Sequence, residues 1–214
     1  MYRLSCCAMV LSLIAANASA AIITWQVADG GNGHAYDLIG DYSDPSQRWT
    51  WETAKVMAEG MTYLGVQGHL VTITSAQEDQ FLIDNFHNAS PLPTWIGLTD
   101  NEDYGGTESF GQTNPQTNGW VWVTGEAVTY TNWIPNGPDG SFNREEDFAL
   151  MGSQHRDHHQ WNDEQRGDHA QFFVEFDLPP AAAVPEPASL FIWTTFGLSA
   201  IGVARFKGRR RELG

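Results

Sequence analysis

The chain has 214 residues with 26 acidic and 11 basic side chains, a formal charge of −15, and 42% hydrophobic residues. That length suits one ordinary domain with segments to spare at its ends. Such an acidic balance argues against nucleic acid as a partner, because phosphate binding needs a basic surface.

In chain order, residues 1–20 read as a signal peptide: Arg3, the apolar run CCAMVLSLIAA, then Ala18-Ser19-Ala20, with cleavage expected after Ala20. Cys6 and Cys7, the only cysteines, fall in this segment, so the exported domain can form no disulfide. AIITWQ opens like a strand, and GNGHAYDLI follows as another after a glycine turn. WTWETAKVMAEGM places Trp51, Ala54, Met57 and Ala58 at helical spacing behind a Thr50 cap. GHLVTI alternates as a strand, and Ser75 with Glu78 forms a capping-box pattern that starts a second helix over residues 76–87.

PLPTWIGLTD reads as a strand leaving a proline-rich corner, and the next 19 residues, to Gly119, are loop-like. Short β-like pieces come next: 120–124, 129–133, 147–151 and 171–177. Early helices followed by short strands suggest α+β, with the helices packed to one side of antiparallel strands. Eight of the nine tryptophans lie between Trp25 and Trp161, enough large aromatic surface for a core without covalent staples.

At the far end, residues 188–204 carry no charge and as a helix would span about 26 Å, enough to cross a bilayer. The basic tail 205–214 would hold that side in the cytoplasm. With Pro185, Glu186 and Pro187 just ahead, in a linker over 179–187, this end resembles the PEP-CTERM sorting signal. The resemblance implies a bacterial cell envelope, surface or extracellular matrix location. It also implies membrane attachment through the C-terminal helix until an exosortase-type protease acts near the motif. A plain single-pass anchor is the competing reading. Residues 21–184 hold 24 acidic against 5 basic side chains, so the exported part is more acidic than the whole and suited to divalent cations; solubility alone would also explain the excess.

Trp51-x-x-Ala54, GHLVTI, WIGL from Trp95, WVWVTGE ending at Glu126, YTNW from Tyr130, EDF from Glu146 and WND from Trp161 occur in an order that resembles the C-type lectin-like domain. The domain is assigned to residues 21–178. The resemblance implies a C-type lectin-like α+β fold: two short helices flanking antiparallel strands, a long loop region, and none of the usual disulfides. Ala58 and Val174 stand where one bridge of the family would be, and Phe148 and Arg166 where the other would be. A buried Ala58–Val174 contact and a stacked Arg166–Phe148 pair are expected in their place.

In sugar-binding members a loop of the form Glu-Pro-Asn or Gln-Pro-Asp, its proline cis, follows the YxNW strand and helps to bind Ca2+. Here that tripeptide falls on Gly137-Pro138-Asp139 within WIPNGPDG. The implied Ca2+ ligands are Asp139, Glu146, Asn162 and Asp163, with Asn136 and His159 added on the sugar side. Ca2+ takes six to eight oxygens, and vicinal sugar hydroxyls can fill positions the protein leaves open. Gly137 supplies no side-chain oxygen where the family places Glu or Gln. For Asp100, Asp103 and Asp147 two readings stand, an auxiliary cation site or a solvated acidic loop.

The stretch GSQHRDHHQ invites a zinc or copper reading through His155, His158 and His159, but adjacent histidines on an extended segment face opposite ways, so a polar hairpin tip is preferred. G-x-S-x-G, H-E-x-x-H and P-loop patterns are absent from the sequence, and adjacent Glu145 and Glu146 do not face across a cleft as glycosidase carboxyls must. The sequence thus predicts a non-enzymatic module that binds a glycan or exopolysaccharide with Ca2+. The alternative is a Ca2+-independent structural or protein-binding module of the same fold.

Overall fold

The computed structural model describes residues 22–87, 92–109, 111–140, 145–153 and 156–179. The leader, the Pro185–Glu186–Pro187 motif, the apolar stretch 188–204 and the basic tail lie outside the described residues, as does His155. Among the described residues no helix is long and apolar enough to cross a membrane.

Eleven elements carry the fold in the order β1 (Ile23–Thr24), β2 (Ala35–Ile39), α1 (Trp51–Gly60), β3 (Thr62–Tyr63), β4 (Val66–Leu70), α2 (Ala76–Leu82), β5 (Thr94–Thr99), β6 (Val121–Trp122), β7 (Phe148–Ser153), β8 (Arg156–Glu164) and β9 (Gln171–Phe176). Both helices begin where capping chemistry predicts: Thr50 accepts from the Thr53 amide and Ser75 from the Glu78 amide. The second helix widens into a π turn over Ile83–His87, so the expected span is helical throughout but not uniformly α.

The sheet runs β1-β2-β9-β5-β7-β8, with β4 also pairing β9 and β6 pairing β5. All pairings are antiparallel except β5 with β9. Side chains alternate across this sheet and feed two cores. Trp95, Phe172 and Val174 face one side with Trp51, Ala54 and Ala58 of α1, whereas Ile96 and Phe173 face the other with Trp122, Trp133 and Trp161. Two indoles of the first core find partners as well as volume: Trp51 Nε1 donates to Ile96 O at 2.8 Å and Trp95 Nε1 to Trp49 O at 2.7 Å.

Three expectations need correction. Residues 129–133 form no strand; only Trp133 bridges to Trp161, because the chain turns into the proline loop immediately afterwards. The histidine stretch, expected as a polar hairpin tip, is strand from Arg156 onward, with Arg156 opposite Ser153. Arg166 does not stack on Phe148. Its guanidinium pairs with Glu52 at 2.8 Å and Asp103 at 3.1 Å, whereas Phe148 stacks on Trp51 with ring centres 4.8 Å apart. Charge pairing at a half-exposed position outcompetes a ring that is already covered. Ala58 and Val174 do share one core cluster, both fully buried.

Candidate functional site

The WND corner is anchored from beneath. Trp161 is fully buried, and its indole Nε1 donates to Asp79 Oδ1 of α2 at 2.9 Å. Asn132 Nδ2 and Tyr130 OH donate to the other oxygen of Asp79, at 2.8 and 3.2 Å. One carboxylate therefore ties α2, the YTNW segment and β8 together. Burial pushes its pKa up, and the three donors pull it back. No sequence motif marks Asp79; it is a polar residue beside the capping Glu78, and only the fold turns it inward.

The backbone then laces the proline loop to the same strand. Trp161 N donates to Asn132 O at 2.7 Å, and Ile134 N donates to Trp161 O at 2.9 Å. Asn136 adopts a φ of 71°, in the left-handed region an asparagine tolerates, and Gly137–Pro138 is cis. The turn sends the next two amides toward β8: Asp139 N and Gly140 N donate to Asp163 Oδ2 at 3.0 and 2.9 Å.

Here three carboxylates converge. Asp139, Glu146 and Asp163 each offer an oxygen within 4.8 Å of the others. Glu146 and Asp163 are buried, and Asp139 is exposed. Burial raises the Asp163 carboxyl to about 6, the loop amides act against the rise, and the neighbouring charge of Asp139 adds to it. Asn162, next along β8, donates its amide to Asp163 O at 2.9 Å and Glu164 Oε1 at 3.1 Å. Glu164 was not singled out by the sequence; its carboxyl is raised to about 7, again mainly by burial. The donor set of the corner is all oxygen, which suits a hard divalent cation such as Ca2+.

The remaining sequence-predicted residues separate. Asn136 is exposed at the turn, whereas half-buried His159 lies near Asp79, two residues before Trp161 on β8. Asp100, Asp103 and Asp147 do not gather into one group. Asp100 is buried and accepts from the Ser109 amide at 2.9 Å, Asp147 accepts from Asn101 Nδ2 at 2.6 Å, and Asp103 is drawn to Arg166. Beside them lies a polar cavity of about 300 Å³ lined by Asn101, Glu102, Glu108, Glu145, Asp147 and Arg166.

Two helices on a sheet, a long loop tied to Trp133 at Gln116 O, and acidic oxygens gathered where a proline turn meets the WND strand define a C-type lectin-like domain. The model of the lectin C-type domain matches residues 47–172, and the chain belongs to that family. It is 30% identical over 135 residues to the alpha-N-acetylgalactosamine-specific lectin of Patiria pectinifera, covering 62% of this chain and 67% of that protein. It is also 30% identical over 147 residues to halomucin of Haloquadratum walsbyi, covering 68% of this chain but only 1% of that far longer protein. Among solved structures, the C-type lectin CEL-I from Cucumaria echinata superposes with a TM-score of 0.51 at 23% identity, over 68% of this chain and 90% of that one, a likeness of fold. The domain is a binding module of the lectin kind, not an enzyme.

Proposed function

We propose that the domain binds carbohydrate through a Ca2+ ion held by Asp139, Glu146, Asn162 and Asp163. The observation that carries this reading is the convergence of the Asp139, Glu146 and Asp163 carboxylates within 4.8 Å at the cis-Pro138 turn. Those oxygens repel one another in a buried setting, and a dication would relieve the repulsion. When bound, Ca2+ supplies open coordination positions for vicinal hydroxyls. The residues around it orient the sugar, with carboxylates accepting from hydroxyls and exposed Asn136 at the rim.

We further read the chain as exported to a bacterial surface or matrix through its leader. In this reading Pro185, Glu186 and Pro187 present the tail to an exosortase-type protease, and an exopolysaccharide is the natural ligand class. The leading test is calorimetric titration with Ca2+, followed by a glycan array with and without chelator that includes N-acetylgalactosamine. Ca2+ binding together with chelator-sensitive glycan retention supports the reading; no heat and no melting shift with Ca2+ defeats it.

One observation favours a second reading, a Ca2+-independent module of the same fold. Gly137 brings no oxygen, and Asp163 already accepts two backbone amides. Under that reading Asp163→Ala leaves ligand binding intact.

A further inference from the structure

A different set of strands gathers a second group of metal-ligating side chains, mixed rather than purely acidic. Strand β9 is flanked by β2 and β4, and Glu175 sits opposite Tyr36 on one side and His69 on the other. Because strand side chains repeat every two residues, His34, two before Tyr36, and Asp177, two after Glu175, project to the same face. His34, Glu175 and Asp177 each offer an atom within 4.8 Å of the others, and His69 joins them through Asp177. His34 Nδ1 lies 2.7 Å from Glu175 Oε1 and 3.1 Å from Asp177 Oδ1, and His69 Nε2 lies 3.2 Å from Asp177 Oδ1.

Their orientations are set from behind. His69 Nδ1 is 2.8 Å from Leu70 O, and a carbonyl can only accept, so the proton sits on Nδ1 and Nε2 faces the cluster. That Nε2 is shielded from solvent and, despite its nearness to Asp177, makes no well-aligned hydrogen bond. Glu175 Oε2 accepts from the Thr72 amide at 2.9 Å, which leaves Oε1 turned toward His34. Backbone groups that fix a ligand's free atom in this way are the usual outer support of metal sites.

We propose that His34, His69, Glu175 and Asp177 form a Zn2+ site, independent of the carboxylates at the proline turn. Two imidazole nitrogens and two carboxylate oxygens match zinc's preferred donors and its four-coordinate geometry, whereas Ca2+ favours an all-oxygen shell. Ligand atoms on a tetrahedral zinc stand about 3.4 Å apart, so the close pairs would spread by tenths of an ångström, whereas His69, outside the group of three that lies within 4.8 Å, would have to draw in toward His34 and Glu175. Half-exposed Asp177 leaves a path for entry. Glu78, held by Tyr36 OH at 2.6 Å and Asn32 Nδ2 at 3.1 Å, adds negative charge that acts on both His34 and Glu175.

The test is Zn2+ titration of the purified, untagged, metal-stripped full chain by calorimetry. Co2+ substitution then reads the coordination geometry from the visible spectrum. One zinc per chain is expected, with a raised melting temperature and the intense absorption of tetrahedral Co2+. His34→Gln, His69→Gln and the more exposed Asp177→Asn should each weaken zinc binding by roughly 100-fold. Circular dichroism checks each fold, and the Ca2+ response should be untouched. Failure of the native chain to bind zinc overturns the proposal. So does undiminished binding in a folded His34→Gln/His69→Gln double variant, which would move the ion to the histidines of residues 155–159.

Discussion

Asp79 and Asp163 are both buried carboxylates beside the same indole strand, yet their surroundings differ in kind. Asp79 receives three side-chain donors, from Trp161, Asn132 and Tyr130. Asp163 receives backbone amides from a loop and stands against two further carboxylates, Asp139 and Glu146. The first arrangement consumes its charge in holding the structure together. The second leaves charge concentrated at the protein's edge, where a cation can lower its energy. Burial alone therefore does not separate a structural acid from a binding one; the identity of the neighbours does.

The largest effect expected from breaking this contrast is at Asp163. Asp163→Asn removes a full charge from the converging oxygens and should weaken Ca2+ by about 100-fold or more, measured by calorimetry, with chelator-sensitive glycan retention lost. Its fold should survive, because an amide oxygen can still accept from Asp139 and Gly140. Asp79→Ala should do the reverse. It strands three donors and should cost about 3 kcal/mol in urea unfolding, with Ca2+ affinity per folded molecule changing far less.

A milder separation comes from pH. Burial raises Asp163 to about 6 and Asp100 and Glu164 to about 7. Unfolded carboxyls titrate near pH 4, so the stability these groups contribute is fully present below that value and is lost as pH rises through about 6 to 7. His69, held to about 9, adds a loss of the same sign at higher pH. Metal-free protein should therefore melt higher at pH 5 than at pH 8. Ca2+, which needs ionised carboxylates, should raise the melting temperature at pH 8 and do little at pH 5. The smallest expected effect is a gain. Gly137→Glu supplies the missing oxygen and should tighten Ca2+ by about threefold to tenfold, limited by Ile134 Cγ1, which would lie 2.9 Å from the new Cβ.

Much of this was legible in the sequence because it is local. Thr50 and Ser75 announce the helix starts by capping chemistry, and GHLVTI marks a strand by its alternation. The cis peptide at Pro138 and the meeting of Asp139, Glu146 and Asp163 followed from a family resemblance carried by ordered motifs. What escaped was set by partners remote in sequence. Asp79 lies 82 positions from the indole it holds, and Arg166 lies 63 from Asp103, the carboxylate it draws away from Asp100 and Asp147. His34 and Glu175 are 141 positions apart and meet only because β2 and β9 are neighbours. Periodicity tells which face a side chain takes, not which strand will lie alongside.

The burial of Ala58 and Val174 in one apolar cluster has a practical corollary. With no thiol anywhere in the folded region, recovery from denaturant requires neither an oxidant nor a shuffling catalyst, and reducing agents should leave the melting curve where it was. Such a domain could acquire its shape equally well on either side of a membrane, in an anaerobic sediment or in aerated water.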